Sequence, residues 1–356
     1  MRKSHSPRGG HAGQGGFGLV ELMVSVVVGL MAVLAIMSVF WTSESQKRTT
    51  TAGVDAQENA LVSLATIERD LRVAGLGIVG LGCTSIGAYN AALTPATFSF
   101  APMPVSISFD APAAGSDSLI VVYSASAYGN VPTTLEGAMA TSGVVLTAAN
   151  GDGFFQGDVV MISEASKGCS LLQASTDGAN SGTSWTIAHD PAGAYPHNPP
   201  VATNIFPAGG YATGARVTNM GALVRREYFV QGSSLMMRNL NLPDSTAAPV
   251  NPAPIVDGII AVRAQYGRDT NADGYIDLYD NTAPTDAAQL VAVRIAVVAR
   301  SGQLEKLAVS PATLPLWNGG TVANGGAITL DAAAQRYRYK VHQTTVPLRN
   351  VIWNNN

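Results

Sequence analysis

The chain has 356 residues and a formal net charge of −3, with 47% of its residues hydrophobic and only 13% charged. This composition excludes an intrinsically disordered protein, which combines low hydrophobicity with high net charge. The balanced charge offers no overall basic field, which argues against nucleic acid as a partner. The 37 glycines and 19 prolines, together with few charges, favour a loop-rich β protein that works outside the cytoplasm.

An apolar segment begins close to the N-terminus. Residues 17–41 form an uninterrupted apolar run, apart from one acid, and follow a basic, glycine-rich stretch at residues 1–16. A helix of this length rises roughly 37 Å, which is enough to cross a bilayer. No small-residue cleavage site follows Trp41, so we expect the segment to be retained as a membrane span rather than removed as a secretory signal.

Glu21 is the one acid inside this apolar run. A carboxylate in a membrane span costs roughly 2–3 kcal/mol on insertion scales, so such a residue predicts a functional role and a partner. The alternative is that Glu21 lies at the membrane interface and extends its carboxylate into water.

The string GGFGLVELMV around this acid resembles the class III signal of type IV prepilins. Gly16 stands before the bond that is cut in that family, Phe17 follows it, and Glu21 is fifth in the mature chain. The resemblance implies that a prepilin peptidase removes residues 1–16 and methylates the Phe17 amine. It also implies that Glu21 pairs with the Phe17 amine of a neighbouring subunit, where a buried pair sets register rather than adding stability.

Helical periodicity continues beyond the membrane segment, from residue 42 to residue 75. Leu61, Leu64, Ile67 and Leu71 recur every three or four residues, which predicts an amphipathic helix that buries this stripe against a sheet. Gly75 and Gly77 are suited to the left-handed conformation that ends a helix.

Residues 76–356 are predicted to form a β-rich globular head. Five runs rich in valine, isoleucine and tyrosine predict strands; they are 118–125, 158–164, 223–231, 258–267 and 292–300. Residues 166–218 show little periodicity and many turn residues, which predicts a loop-rich insertion. The fold class is therefore α+β, with a long N-terminal helix packed on an antiparallel sheet, as in type IV pilins.

Further segments are similar to PilW-type minor pilins. They are ERDLRVAGLG, DVVMISEASKGCSLLQAS, IVDGIIAVRAQYGRDTNADGYIDLY and RYRYKVHQTTVPLRN. The resemblance implies a subunit that helps to prime and assemble a type IV pilus, at or near its tip. It implies a bacterial inner-membrane protein with a periplasmic head that later joins a cell-surface pilus. The implied partners are other minor pilins, the major pilin, the inner-membrane assembly platform and the prepilin peptidase.

Two other functions stay open from the sequence. A minor pseudopilin of a type II secretion system has the same signal and a calcium-bearing head. A membrane-tethered adhesin would use residues 166–218 as its ligand surface, and exposed aromatic side chains around a groove there would favour it.

The segment DTNADGYIDLYD predicts a calcium site. Its oxygen ligands fall at positions 1, 3, 5, 7, 9 and 12 of a loop like that of an EF-hand; they are Asp269, Asn271, Asp273, the Tyr275 carbonyl, Asp277 and Asp280. Gly274 occupies the sharp turn. Asp280 stands where the full motif has glutamate, and the flanking residues predict strands, so we expect weak affinity. The alternative is a turn held only by side-chain hydrogen bonds.

The two cysteines, Cys83 and Cys169, are far apart in the sequence and have no CxxC pattern. In an exported chain this arrangement predicts one disulfide, and two buried free thiols are the alternative.

The sequence contains none of the catalytic motifs considered, so it predicts a protein that is not an enzyme. Beyond the leader there are three histidines, His189, His197 and His342, and none accompanies a nucleophile elbow, a zinc helix or a phosphate loop. We expect His189 and His197 to be solvated in a proline-rich loop. Charged residues alternate with Tyr and Val from Arg336 to Val341, which predicts a strand with one charged face, either simply solvated or facing an anion such as DNA.

Overall fold

The structure is a computed structural model that describes residues 18–110, 115–127, 129–191, 195–200 and 205–354. It divides into two compact units, Met1–Ala52 and Gly53–Asn356. One helix, α1 (Leu19–Val73), contributes to both units. The described part of the first unit is helical from Leu19 onward, and all the strands found in the described residues lie in the second unit.

In the described residues, the chain after α1 forms strands and a short C-terminal helix, α2 (Arg349–Asn354). The strands in chain order are β1 (Ile86–Tyr89), β2 (Thr97–Phe100), β3 (Val105–Ser108), β4 (Ser118–Ser124), β5 (Pro132–Thr134), β6 (Val145–Ala148), β7 (Val159–Ser163), β8 (Cys169–Gln173), β9 (Ala179–Asn180), β10 (Trp185–Ala188), β11 (Arg216–Gly221), β12 (Leu223–Gln231), β13 (Ser234–Asn239), β14 (Ala253–Asp257), β15 (Ile259–Arg268), β16 (Leu278–Asp280), β17 (Leu290–Arg300), β18 (Thr313–Pro315), β19 (Ala327–Thr329) and β20 (Tyr339–Pro347).

These strands form three larger sheets and two small ones. The larger sheets have the orders β2-β1-β8-β7-β11-β5, β14-β13-β12-β4-β3 and β16-β15-β17-β20, and the small ones are β6-β10-β9 and β18-β19. Their pairings are antiparallel except for β1 with β8. The predicted α+β class is confirmed, and all five predicted strands are present as β4, β7, β12, β15 and β17.

The head segment of α1 covers the main core. Ala60, Leu64, Ile67 and Leu71 are buried in one cluster with apolar residues of β3, β4, β12, β15 and β17. The predicted stripe is therefore confirmed at three of its four positions. Leu61 is exposed, because it stands one residue beyond Ala60 and so faces away from the sheets.

α1 ends where the glycines predicted. Gly75 has a φ of 81°, in the left-handed region that residues with a Cβ avoid. Its N–H donates to the carbonyl of Val122 on β4 at 2.9 Å. The helix therefore stops at a residue that also joins the sheet.

The expectation of a loop-rich insertion at residues 166–218 is wrong in part. Strands β8, β9 and β10 lie within it, and Leu172, Ile187 and Val217 are buried in a second core cluster. β8 is buried on both faces over most of its length. Its sequence, CSLLQ, contains no valine, isoleucine or tyrosine, so the composition that marks the five predicted strands is missing.

The strand expected over residues 336–341 begins later than the sequence predicts. Residues Ala334–Arg336 form a 3-10 turn, and β20 starts at Tyr339. Arg336 donates from Nε to the carbonyl of Glu305 at 2.8 Å, and Arg338 donates to the Glu305 carboxylate at 3.0 Å. Contacts with a distant loop, which local alternation does not reveal, therefore shape this end of the sheet.

A buried carboxylate fixes α1 on the five-stranded sheet. Asp70 lies three residues after Ile67 and one before Leu71, on the buried face of the helix. Its Oδ2 accepts hydrogen bonds from the Tyr228 hydroxyl at 2.7 Å and from Arg226 Nη1 at 2.9 Å, both on β12. Sequence analysis missed this contact, although a lone acid at core spacing on an amphipathic helix is a usable signal. Burial of an unpaired carboxylate is costly, so this contact allows one position of the helix on the sheet.

We expect Asp70→Ala to lower the free energy of unfolding by about 2–3 kcal/mol, because it removes two charge-assisted hydrogen bonds from buried or half-buried donors. Denaturant unfolding of the full chain in detergent, followed by the fluorescence of its tryptophans, would measure the loss. Glu68→Ala on the same helix is the matched control: it removes a solvent-facing pair with Arg72 and should cost at most about 0.5 kcal/mol. Equal losses in the two variants would contradict the role assigned to Asp70.

Candidate functional site

The N-terminal half of α1 is apolar and unburied. All residues from Gly18 to Ser43 are exposed, and α1 contains a window long and apolar enough to cross a membrane, by length and composition. Such a continuous apolar surface is not stable in water. It requires lipid or the apolar surfaces of other proteins as its surroundings.

Glu21 lies in the first turn of this helix. Its backbone carbonyl accepts a hydrogen bond from the Ser25 hydroxyl at 2.5 Å. Within the described residues, its carboxylate has no hydrogen-bonding or ion-pair partner. Gly16 and Phe17, the predicted processing residues, lie outside the described residues, so the pairing of Glu21 with the Phe17 amine stays a prediction.

Asp269 organises the acidic loop that follows β15. Its carboxylate is buried and accepts hydrogen bonds from four successive backbone N–H groups, those of residues 271–274, at 2.7–3.3 Å. Ala272 and Gly274 both have positive φ, at 60° and 85°. The loop is therefore wound around the carboxylate of its first position.

Three more of the predicted ligands converge on each other. Asn271 Nδ2 donates to Asp273 Oδ2 at 3.2 Å and to Asp277 Oδ1 at 3.3 Å. Asp277 also accepts hydrogen bonds from the Thr270 hydroxyl and the Thr270 N–H, each at 2.7 Å. These two bonds hold the pKa of Asp277 below its usual value, and the bond from the Thr270 hydroxyl has the larger effect. The amide group of Asn271 thus lies between two carboxylates, a position that also suits a cation.

Asp280 is engaged elsewhere. It lies on β16, and its carboxylate forms a two-point ion pair with Arg268 on β15, at 2.5 and 3.1 Å. The chain has therefore returned to the sheet before the last position of the loop. Among the described residues, no group of three or more His, Cys, Asp or Glu side chains is arranged to hold a metal ion.

Cys83 and Cys169 form a disulfide, as predicted, with a Cα–Cα distance of 5.5 Å. Cys169 begins β8, and Cys83 lies in the segment between α1 and β1. The bond closes a loop with a sequence separation of 86 residues, which in a chain-entropy estimate stabilises the fold by roughly 4 kcal/mol. It ties the chain leaving α1 to the six-stranded sheet.

The histidines are not arranged as a site. The expectation that His189 and His197 are solvated is wrong, because the folded loop buries His189 beside Phe206 of the second core and half-buries His197 near Tyr89. His189 is buried with its ring 6.4 Å from that of Phe206, and its Nε2 has no hydrogen-bond partner among the described residues. Burial lowers the pKa of His189 to about 4. Burial also lowers the pKa of His197, against an opposing hydrogen bond with the Tyr89 carbonyl.

Two comparisons with known proteins found chains similar to this one. The sequence profile of PilW, described as type IV pilus-assembly protein W, matches residues 223–350, which is 128 of the 356 residues. The match runs from β12 into α2 and includes the acidic loop, so the resemblance to PilW-type pilins is confirmed over this part of the head. A type IV-like pilin from Thermus thermophilus is a structural relative with a TM-score of 0.38 and 10% identity, over 83% of this chain and 96% of that pilin. No curated protein matches the chain in sequence.

The buried His189 predicts a loss of stability in mild acid. Its pKa in the folded chain is about 4, below the value of 6.5 in the unfolded chain, so the unfolded state binds the proton first as the pH falls. The contribution of neutral His189 to the free energy of unfolding is therefore complete above pH 6.5. It is lost as the pH falls from 6.5 to 4, by roughly 3 kcal/mol in total.

Denaturant unfolding at several pH values, for wild type and His189→Phe, would isolate this contribution because both chains share the same carboxylates. We expect the wild type to lose more stability than the variant over that interval. Parallel pH profiles would show that His189 is protonated equally in both states.

Proposed function

We propose that this chain is a minor pilin, a structural subunit without enzymatic activity that takes part in priming and assembling a type IV pilus. The PilW profile match over residues 223–350 is the observation that carries the proposal. The exposed apolar half of α1 supports it, because a pilin needs such a segment both in the membrane and in the filament core.

In this proposal the chain passes through two environments. A prepilin peptidase removes residues 1–16 and methylates Phe17, and the apolar half of α1 holds the subunit in the inner membrane with its head in the periplasm. During assembly the same segment leaves the lipid and packs among the helices of other minor pilins and the major pilin. The disulfide supports a head that folds in an oxidising compartment.

Glu21 would act at the transfer between these environments. Its carboxylate has no partner among the described residues, so a cationic amine supplied by a neighbouring subunit would satisfy it. We place the subunit at or near the pilus tip, in contact with other minor pilins and the assembly platform. A pseudopilin of a secretion system would share the processing and anchoring steps, and therefore a deletion strain must be scored for both systems.

Glu21→Ala should leave processing intact but reduce incorporation of the subunit into filaments, because it removes the partner of the Phe17 amine. Mass spectrometry of the purified chain should give a methylated N-terminus at Phe17, and immunoblots of sheared pili would measure incorporation. Glu44→Ala is the matched control on the same helix, outside the apolar segment, and should incorporate normally.

An intact leader, or an N-terminus other than Phe17, would contradict the prepilin interpretation. Equal incorporation of both variants would exclude a role for Glu21 in assembly and would leave it as a residue of the membrane interface. Loss of surface pili and twitching in a deletion strain supports the pilus, whereas loss of protein secretion with normal pili would assign the subunit to a secretion system.

We also propose that the acidic loop binds calcium weakly, through the oxygens of residues 269–277. The support is the convergence of Asn271, Asp273 and Asp277 and the winding of the loop around Asp269. Turning the Asn271 amide would present its oxygen, with the two carboxylates, to one hard cation. Asp280 is left out of the ligand set, because Arg268 already neutralises it.

Calcium should raise the melting temperature of the full chain in detergent, with a linkage of about 2.7 kcal/mol at a hundredfold excess over the dissociation constant. Magnesium should raise it less, because it dehydrates reluctantly and requires octahedral geometry. Asp273→Ala should abolish the calcium response, while Asp152→Ala, at an exposed acid outside the loop, should keep it. If wild type melts at the same temperature with calcium and with chelator, the loop is a hydrogen-bonded turn only.

A further inference from the structure

The two ends of the four-stranded sheet carry opposite charge. β15 and β17 are antiparallel, with Ile259 opposite Ala299 at one end and Arg268 opposite Leu290 at the other. We call residues 300–310 and 331–340 the basic end and residues 268–286 the acidic end. β15 has ten residues, so the two ends lie roughly 30 Å apart along the sheet.

The basic end is one structural unit. Backbone N–H groups of residues 301, 305 and 309 donate to carbonyls of residues 338, 336 and 335 at 2.8–2.9 Å, which joins its two segments. It holds two acids, Glu305 and Asp331, and five cations; these are Arg300, Lys306, Arg336, Arg338 and Lys340.

Most of these cations are uncompensated within the described chain. Arg338 pairs with Glu305 at 3.0 Å, and the Arg300 guanidinium lies 4.5 Å from the centre of the Tyr337 ring. Lys306, Arg336 and Lys340 form no ion pair with any described residue. The surface therefore has a surplus of positive charge that a partner could neutralise.

Large apolar side chains stand among these cations. Leu307 is 77% exposed, and Leu304 and Val309 are also exposed. Exposed aliphatic side chains grouped with cations are more typical of a contact surface than of a solvated loop.

The acidic end complements the basic end in charge and also carries exposed apolar side chains. It holds five aspartates, at positions 269, 273, 277, 280 and 286, and one cation, Arg268. Tyr275 is 76% exposed there, and Ile276 and Leu278 are exposed beside it. Asp269 is buried and Asp280 pairs with Arg268, so the exposed negative charge of this end comes from Asp273, Asp277 and Asp286. Exposed apolar side chains thus stand among acids at one end of the sheet and among cations at the other.

We propose that two copies of this chain associate head to tail, with the basic end of one copy on the acidic end of the other. Opposite charges steer the two surfaces together, and their exposed apolar side chains are buried when they meet. The contact is heterologous, so a dimer keeps one free end of each kind and can add further copies. This inference depends on the surface of the head alone and does not require the pilus proposal.

Two substitutions at exposed apolar positions test the contact without removing a carboxylate or a cation. Leu307→Asp places an acid in the basic end, and Tyr275→Lys places a cation in the acidic end. Each variant alone should associate roughly tenfold more weakly than wild type, because it loses apolar burial and gains like-charge repulsion. Sedimentation velocity of the full chain in detergent, with chelator present so that no divalent cation screens the acidic end, would measure association.

An equimolar mixture of the two variants should regain association. Tyr275→Lys keeps a normal basic end and Leu307→Asp keeps a normal acidic end, so a wild-type contact can form only between the two different chains. Val131→Asp is the matched control, at an apolar residue 72% exposed outside both ends, and should associate as wild type does. Raising the salt from about 0.1 M to about 1 M, which shortens the Debye length from roughly 10 to 3 Å, should weaken the wild-type complex.

Three results would overturn the proposal. One is a wild type with a single chain per micelle at all concentrations. Another is association that neither variant weakens, because the copies would then associate through the apolar half of α1 rather than through the two ends of the sheet. The third is a mixture that stays dissociated like the single variants, which would exclude a head-to-tail contact.

Discussion

The packing of the second half of α1 on the sheets is the contact on which the rest of the head depends. β15 and β17 are buried on both faces, and one of those faces is covered by Ile67, Leu71 and their neighbours. Asp70 determines where the helix lies on the sheets, because its carboxylate contacts Arg226 and Tyr228 of β12. A shift by one helical turn, about 5.4 Å, would move its carboxylate away from Arg226 and Tyr228 and leave a buried charge unpaired. Apolar burial thus supplies the attraction, and one polar contact supplies the register.

The first half of α1, unlike the second, is not covered by the sheets of the head. Its residues are apolar on all sides, whereas the head segment is apolar along one stripe. A helix that is apolar all round requires apolar surroundings on all sides, and a helix with one stripe requires a single surface. The change of pattern along one helix therefore marks the point where the chain's own sheets replace lipid or other subunits as the cover. The main core of the head contains no residue from Gly18 to Ser43, so it does not depend on what surrounds that segment.

Local patterns in the sequence predicted the parts of the fold that depend on local burial. The strands β4, β7, β12, β15 and β17 were predicted because valine, isoleucine and tyrosine runs bounded by turn residues need little context. β8 was missed because its sequence, CSLLQ, has none of the valine, isoleucine or tyrosine that marks the five predicted strands. The contact of Asp70 with Arg226 spans 156 residues of sequence, and no local pattern indicates such a partner. His189 was expected in solvent for the same reason: the core that surrounds it comes from distant segments.

The acidic loop shows how the surrounding sheet changes the chemistry of a familiar motif. In an EF-hand, helices flank the loop and its twelfth residue turns back towards the cation. Here strands flank it, and antiparallel pairing places Asp280 opposite Tyr266, where its carboxylate reaches Arg268. This contact removes Asp280 from the ligands that the sequence spacing predicts, so the calcium proposal concerns only the first nine positions. The Arg268–Asp280 contact holds β16 on the sheet independently of any cation. Ordering of residues 269–277 by calcium would therefore leave the β15–β16 pairing intact and alter only the charge and shape of the exposed tip that carries Tyr275.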